Sequence, residues 1–132
     1  ISMNRLTTTR TILTSLALIV LINLSIVTTA DATSIRCDIG TRWSCSATGC
    51  KTATPTIYNL MNFDTARYSR CDQKGCDTYE VTVTRNGNYL NILAPQKSML
   101  AKLGGSNLEH FTEVVTLGTV VLVSHGKCEK ID

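Results

Sequence analysis

The dipeptide Asn86-Gly87 is the sequence feature that most constrains how this chain folds, because it is a strong signal for a β-hairpin. Both central residues of a two-residue type I′ turn need a positive φ, and Asn and Gly adopt it at the least cost. Apolar and polar residues alternate on both sides of it, within the stretch 68–94. The dipeptide therefore predicts a hairpin in which Val83 faces Leu90.

The predicted hairpin has one apolar face and one mostly polar face. Such a division is typical of an antiparallel pair that is buried on one side. With the turn at Asn86-Gly87, the two strands pair as far as Tyr79 with Ala94. The predicted apolar face consists of Tyr79, Val81, Val83, Leu90, Ile92 and Ala94.

The cysteines predict a disulfide framework. An even number of cysteines in a short exported chain indicates an oxidising compartment. The six positions are Cys37, Cys45, Cys50, Cys71, Cys76 and Cys128. The preferred pairing joins Cys45 to Cys50, Cys71 to Cys76 and Cys37 to Cys128. Cross-pairing of the two C-x4-C loops is the alternative, and tryptic digestion without reduction distinguishes them because Lys74 lies inside the second loop.

The same cysteines do not predict a metal or redox site. Thiolate zinc sites are uncommon in exported proteins, and neither loop has the C-x-x-C spacing of thiol oxidoreductases. Asp72 and Asp77 bracket the second loop but lack the regular oxygen-ligand pattern of a calcium loop. We therefore expect no metal and no cofactor.

The first 32 residues have the features of a secretory signal peptide. Arg5 and Arg10 form a basic segment, and residues 11–30 carry no charge. Small residues follow, so that cleavage is predicted after Ala30 or Ala32. An uncleaved membrane anchor is the alternative, since about 20 apolar residues can span a bilayer.

Residues 33–132 are predicted to form a single domain. This part of the chain holds 11 Lys and Arg against 9 Asp and Glu, which is a net charge of about +2 with neutral histidines. The charges are scattered singly along the chain rather than gathered in a basic stripe. Nucleic acid is therefore not an expected partner, and the membrane is expected only through the signal peptide before cleavage.

Seven to nine short β-rich segments separated by turn residues predict an all-β fold, a small disulfide-stapled antiparallel barrel or sandwich. Residues 96–103 are ambiguous. Pro95 at a first helical position suits a short helix, whereas the alternation of Met99, Ala101 and Leu103 suits a strand. The strand is favoured because its neighbours are all strands.

Several residue types found in hydrolases occur in the chain. His110 and His125, with Ser124 and either Asp64 or Glu113, could supply a triad. These types occur in almost any chain of this length, and no nucleophile motif surrounds Ser124. We therefore do not expect the protein to be an enzyme.

Two segments are predicted as a binding surface, because loops on rigid β scaffolds commonly carry function. One is the loop held by the second cysteine pair, and the other precedes the last cysteine. The predicted binding residues are Arg70, Asp72, Lys74, Asp77, Ser124, His125 and Lys127.

A resemblance to known proteins extends over most of the chain from Trp43 onward. It rests on Arg70-Cys71-Asp72, Gly75-Cys76-Asp77, Tyr79, Gly87, Ala101-Lys102, residues 111–118, residues 121–126 and Cys128. In these residues the chain resembles a group of small exported proteobacterial proteins. The resemblance implies a bacterial periplasmic or secreted setting and transfers no functional site.

A looser likeness concerns architecture alone. In size, signal peptide, all-β pattern and terminal cysteines, the chain is similar to periplasmic inhibitors of C-type lysozyme, which are small antiparallel barrels. Such lysozymes are strongly basic, and a domain at about +2 lacks the complementary field that steers that encounter.

These features predict an exported, non-enzymatic binding domain of the bacterial envelope, with a protein or a small ligand as its partner. A small periplasmic hydrolase and a purely structural envelope component are the alternatives. Ser124 within hydrogen-bond reach of a histidine would favour the hydrolase. A surface without a pocket or an apolar patch would favour the structural component.

Overall fold

The computed structural model of the protein describes residues 34–131. The predicted signal peptide, residues 1–32, and its cleavage positions lie outside the described residues. The described part is almost entirely antiparallel strand, which confirms the all-β prediction. The strands are β1 (Ser34–Ser46), β2 (Gly49–Ala53), β3 (Tyr58–Asn62), β4 (Arg67–Asp72), β5 (Gly75–Glu80), β6 (Thr82–Asn86), β7 (Tyr89–Ala94), β8 (Met99–Gly104), β9 (His110–Leu117) and β10 (Val120–Ile131).

Nine of these strands form a nearly closed antiparallel barrel, in the order β5-β4-β3-β1-β10-β9-β8-β7-β6. The tenth strand, β2, pairs with β1 alone. β5 and β6 stand at opposite ends of this order although only Val81 separates them along the chain. The order contains no ladder between β5 and β6, and at this seam the chain passes from one end of the sheet to the other.

The β6–β7 hairpin confirms the predicted faces and corrects the predicted pairs. Asn86 pairs with Tyr89, so the two turn residues are Gly87 and Asn88 instead of Asn86 and Gly87. Gly87 has a φ of 59° at the first central position, which is where a type II′ turn requires glycine. Every predicted pair moves by two residues, and a shift of two leaves the inward and outward faces unchanged.

The hairpin is also shorter than predicted. Tyr79 does not pair with Ala94; it pairs with Tyr68 on β4. The strand is interrupted at Val81. Before the interruption β5 pairs with β4, and after it β6 pairs with β7, because the two ends of the sheet meet there. Alternation alone continues through Val81 and gives no sign of this change.

A β-bulge at Gly40 determines which side chains of β1 enter the barrel. Ile39 pairs with Gly126 and Thr41 with His125, so Gly40 has no partner of its own. The strand does not end at Gly40 but continues with its faces exchanged. As a result Arg42 points inward, where simple alternation from Ile39 would have pointed it to solvent.

The predicted disulfides are confirmed in all three pairs. Cys37 joins Cys128, Cys45 joins Cys50 and Cys71 joins Cys76. Each bridge connects residues that face each other directly on neighbouring strands. Three disulfides indicate an oxidising, extracytoplasmic environment. Among the described residues, the structure has no helix with the length and apolar character that crossing a membrane requires.

Residues 95–104 combine the two predicted forms. Pro95–Lys97 is one 3-10 turn, and β8 begins at Met99. Met99, Ala101 and Leu103 are buried on one face of β8, as the favoured strand prediction required. Proline supplies the start of the turn but not a longer helix.

β10 is a long strand of 12 residues. It joins β9 through a two-residue turn containing Gly118, whose φ is 59°. It then runs to Ile131, so that Ser124, His125 and Lys127 lie within a strand. Their side chains consequently alternate between the inside and the outside of the barrel.

One row of paired, inward-facing residues crosses five strands and changes character midway. In strand order it consists of Arg42, Ser124, Glu113, Ala101 and Ile92. Ala101 and Ile92 belong to the apolar core, whereas the first three residues form a polar group. The barrel interior is therefore apolar on one side and charged on the other.

The neighbouring row on the outer face of the same strands is apolar. It consists of Trp43, Val123, Val114, Leu100 and Leu93. On this outer face the ring of Trp43 meets the ring of His125 edge to face, with 5.3 Å between centroids.

Candidate functional site

The centre of the candidate site is the carboxylate of Glu113, which is fully buried at 0% exposure. The hydroxyl of Tyr68 donates a hydrogen bond of 2.6 Å to its Oε2 atom. Nη2 of Arg70 lies 2.7 Å from its Oε1 atom, and Nη2 of Arg42 lies 3.9 Å from the same oxygen. One buried carboxylate thus faces two guanidinium groups.

Strand register explains why these four side chains meet. Tyr68 and Arg70 are two residues apart on β4, so both point into the barrel. Arg42 reaches the interior through the bulge at Gly40. Its Nε donates a hydrogen bond of 3.0 Å to Oγ of Ser124, the residue it pairs with on β10.

The two arginines have more donors than the described residues can satisfy. Each guanidinium offers five N–H groups in a rigid fork. Nη2 of Arg42 and both Nε and Nη2 of Arg70 are buried without a hydrogen-bond partner in the described part of the chain. The short approach of Arg70 to Glu113 is a charge contact that lacks hydrogen-bond geometry.

An open groove of about 490 Å³ leads to the arginines. Its walls are Ile57 and the tip of the β4–β5 hairpin, which the Cys71–Cys76 bridge holds together. β2 pairs with β1 from Arg42 onward, and β3 pairs with β1 only as far as Asp38. The groove lies along β1 at the gap between these two neighbouring strands.

Burial, and then nearby charge, raises the pKa of two tyrosines on the strands beside the groove. Burial raises the pKa of Tyr68 well above its usual value, and the charge and hydrogen bond of Glu113 raise it further. Burial likewise raises the pKa of Tyr79. Tyr68 therefore stays protonated and keeps its hydrogen bond to the carboxylate.

The arginines respond in opposite directions. Burial lowers the pKa of Arg70, but the charge and close contact of Glu113, together with the nearby Tyr79 and Tyr68, outweigh burial, so the pKa of Arg70 is raised. Burial lowers the pKa of Arg42, and the positive charge of Arg70 lowers it further. The positive charge of Arg42 is thus balanced less completely by neighbouring groups than the positive charge of Arg70.

The first predicted binding segment is gathered at this groove. Arg70, Asp72, Lys74 and Asp77 all line it. Oδ1 of Asp72 accepts hydrogen bonds from the backbone N–H groups of Lys74, at 2.7 Å, and Gly75, at 3.2 Å. These two hydrogen bonds of the Asp72 carboxylate stabilise the hairpin turn.

The second predicted segment is divided between two places. Ser124 is buried and joins the charged cluster through Arg42. His125 and Lys127 are exposed and line a separate depression on the outer face, of about 510 Å³, beside Gly126. The two predicted segments therefore do not form one continuous surface.

Of the residues named for a hydrolytic triad, Ser124 and Glu113 face each other on β10 and β9, but neither histidine joins them. Ser124 and His125 are adjacent on β10 and point to opposite faces. Nδ1 of His125 is 3.1 Å from Oγ1 of Thr112, and Nε2 of His110 is 3.8 Å from Oε1 of Glu109. In residues 34–131 no group of three His, Cys, Asp or Glu side chains could hold a metal ion.

Arg42 and Tyr68 were not among the predicted binding residues, and no binding role was predicted for Glu113. One signal was available for the glutamate, since it occupies the inward position between Phe111 and Val115 in an otherwise apolar alternation. A charge at such a position needs a partner inside the fold. No corresponding signal exists for Arg42, whose orientation depends on the bulge.

Comparisons of the chain with protein-family models, with curated proteins and with solved structures find no match.

Proposed function

We propose that the protein is a non-enzymatic binding domain of the bacterial envelope, periplasmic or secreted, that binds the anionic group of a small ligand or protein partner. The binding site is the arginine groove, defined by Arg42, Arg70, Ile57 and the β4–β5 hairpin tip. The observation that carries the proposal is that Arg42 and Arg70 share one buried carboxylate and that both partly exposed side chains line this groove.

The charge balance of the cluster supports an anion. Two guanidinium groups face one carboxylate, so one positive charge has no partner within the cluster. The side chains of Arg42 and Arg70 are 20% and 30% exposed, which leaves part of each accessible from the groove. Guanidinium forks match carboxylate and phosphate oxygens in pairs, and charge-assisted hydrogen bonds are about twice as strong as neutral ones.

Two further observations support the envelope setting. Three disulfides require an oxidising compartment. The predicted signal peptide and the resemblance to exported proteobacterial proteins agree with that location. The predicted binding residues Arg70, Asp72, Lys74 and Asp77 also line the groove.

The two alternatives receive less support. A hydrolase was suggested by Ser124 and a histidine, but Ser124 accepts a hydrogen bond from Arg42 inside the barrel. A purely structural component would be expected to have a featureless surface. The arginine groove and the outer apolar row from Trp43 to Leu93 are not what that role predicts.

The proposal can be tested by NMR titration of the oxidised, exported protein with propionate and with inorganic phosphate. We expect saturable shifts in the backbone amides of residues 70–77. The Arg70→Lys variant keeps the charge but loses the fork, and should weaken binding about 10-fold. Arg67→Lys is the matched control, because Arg67 lies on the same strand but pairs with exposed Glu80 at 3.4 Å.

A protein partner is tested separately by affinity capture from periplasmic extract, repeated after reduction. Capture by the native protein and by Arg67→Lys but not by Arg70→Lys would support the groove as the contact surface. Absence of anion binding together with equal capture by both variants would overturn the proposal.

A further inference from the structure

We propose that the ligand of the arginine groove is an apolar α-amino acid, whose carboxylate binds Arg42 and Arg70 and whose ammonium group binds Asp77. This inference rests on the proposed function and names the chemical class of its ligand.

Opposite charges are presented side by side in the groove. Arg70 and Asp77 face each other directly across the β4–β5 hairpin. Directly opposed residues project from the same face, with Cβ atoms about 4.5–5.5 Å apart. Among the described residues Asp77 forms neither an ion pair nor a side-chain hydrogen bond, although it lines the same groove as Arg70.

Asp77 is the carboxylate of the groove that is available to a ligand. The Asp72 side chain already accepts two backbone N–H groups of the hairpin turn, and Glu113 is buried beneath the arginines. Lys74 lines the groove but is not in ion-pair contact with Asp77 within the described part of the chain. The groove therefore offers an arginine pair and a separate carboxylate.

An α-amino acid carries both complementary charges on one carbon atom. Its carboxylate presents two oxygens to the guanidinium forks, and its ammonium group presents three donors to Asp77. The short separation of these groups matches two directly opposed residues. A simple phosphate or fatty carboxylate satisfies the arginines and leaves Asp77 without a partner.

The remaining walls favour an apolar side chain on the ligand. Ile57 packs against the hydrophobic core and also lines the groove. The Cys71–Cys76 bridge forms the adjacent wall. A ligand side chain directed away from the charges would meet these apolar surfaces.

Three ligands with the same branched side chain test the inference: leucine, isocaproate, which lacks the ammonium group, and isoamylamine, which lacks the carboxylate. Their dissociation constants are measured by NMR titration of the oxidised protein. We expect leucine to bind at least about 10-fold more tightly than either analogue, because a charge-assisted hydrogen bond is lost in each.

The Asp77→Asn variant tests the contact with the ligand's ammonium group separately from the contact with its carboxylate. It should weaken leucine binding about 10-fold without weakening isocaproate binding, because isocaproate has no ammonium group to contact Asp77. Asp64→Asn, in the exposed turn between β3 and β4, is the control and should bind all three ligands as the native protein does. The NMR spectrum of each variant reports whether the fold is retained.

The outcomes distinguish this inference from the function on which it rests. Isocaproate binding as tight as leucine binding, with no effect of Asp77→Asn, would overturn the amino acid and leave an anion site. Saturable binding of neither leucine nor isocaproate, nor of propionate and phosphate, would overturn both.

Discussion

The hydroxyl of Tyr68 on β4 donates a hydrogen bond of 2.6 Å to the carboxylate of Glu113 on β9, across the interior of the barrel. Three strands, β3, β1 and β10, separate β4 from β9 in the sheet order. This bond and the adjacent contact with Arg70 connect walls of the barrel that no strand ladder joins directly.

Replacement of Glu113 by alanine should destabilise the protein by about 3–5 kcal/mol, because it leaves two partly buried guanidinium groups without their counter-charge. Glu80→Ala is the control: Glu80 is 78% exposed in its pair with Arg67 and should cost less than about 1 kcal/mol. Urea unfolding measures both values. Equal losses in the two variants would contradict the central role of Glu113.

Stability should fall in alkaline solution. The pKa of Tyr68 is raised well above its usual value, chiefly by burial, so the native state holds this proton more tightly than the unfolded chain. The stabilisation is complete below about pH 10, the ordinary phenol value, and is lost as the pH rises beyond it.

The Tyr68→Phe variant tests this pH dependence. Its unfolding free energy should fall less steeply above about pH 10 than that of the native protein. Tyr89→Phe removes an exposed phenol, at 55% exposure, and should keep the native slope. Tyrosinate absorbance followed during the titration identifies the groups that ionise. The prediction fails if Tyr68→Phe and the native protein lose stability in parallel.

The three disulfides should differ in their contribution to stability. The Cys37–Cys128 bridge closes a sequence separation of 91 residues, and the other two close 5 each. From loop-closure entropy, paired alanine replacements should cost about 4–5 kcal/mol for the long bridge and about 2 kcal/mol for each short one. Denaturant unfolding of the three double variants provides the comparison.

The two short bridges form a matched pair for ligand binding. Loss of Cys71–Cys76 should weaken anion binding, because that bridge forms a wall of the groove, whereas loss of Cys45–Cys50 should not. Equal effects on anion binding would argue against the position assigned to the ligand.

The β1–β10 contact should be sensitive to one added methyl group. A Cβ at position 126 would collide with the backbone carbonyl of Asp38, so Gly126→Ala should cost about 1–3 kcal/mol. Gly40→Ala is the control, since its Cβ would lie 4.0 Å from the nearest atom. Thermal unfolding of both variants checks this difference, and a fully stable Gly126→Ala protein would contradict it.

Local patterns in the sequence predicted the strands and the faces of the hairpin, because side-chain alternation is a property of neighbouring residues. They did not predict the pairs. Moving Val83 from Leu90 to Ile92 preserves every face, so hydrophobicity cannot distinguish the two registers. The choice depends on where Gly87 places the turn.

The candidate site was predictable in part. Arg70 and Asp77 were identified because they flank a disulfide loop, and the structure places both at the groove. Arg42 could not be predicted, since its inward direction results from one unpaired residue, Gly40, opposite β10. The partners of Glu113 come from strands distant in sequence, and their meeting depends on closure of the barrel.

The pairing of β1 with β10 also affects the order in which the strands pair during folding. Pairs this distant in sequence are slow to form, because a long loop is closed before its contacts are gained. We expect amides of the β6–β7 and β8–β9 hairpins to be protected before those of the β1–β10 ladder in pulsed hydrogen exchange. Protection of the amides in the β1–β10 ladder before those of the two hairpins would contradict this order. Until β10 is made, Ile35 and Ile39 have no partner strand on that side, and a growing chain would expose them to solvent, chaperones and aggregation.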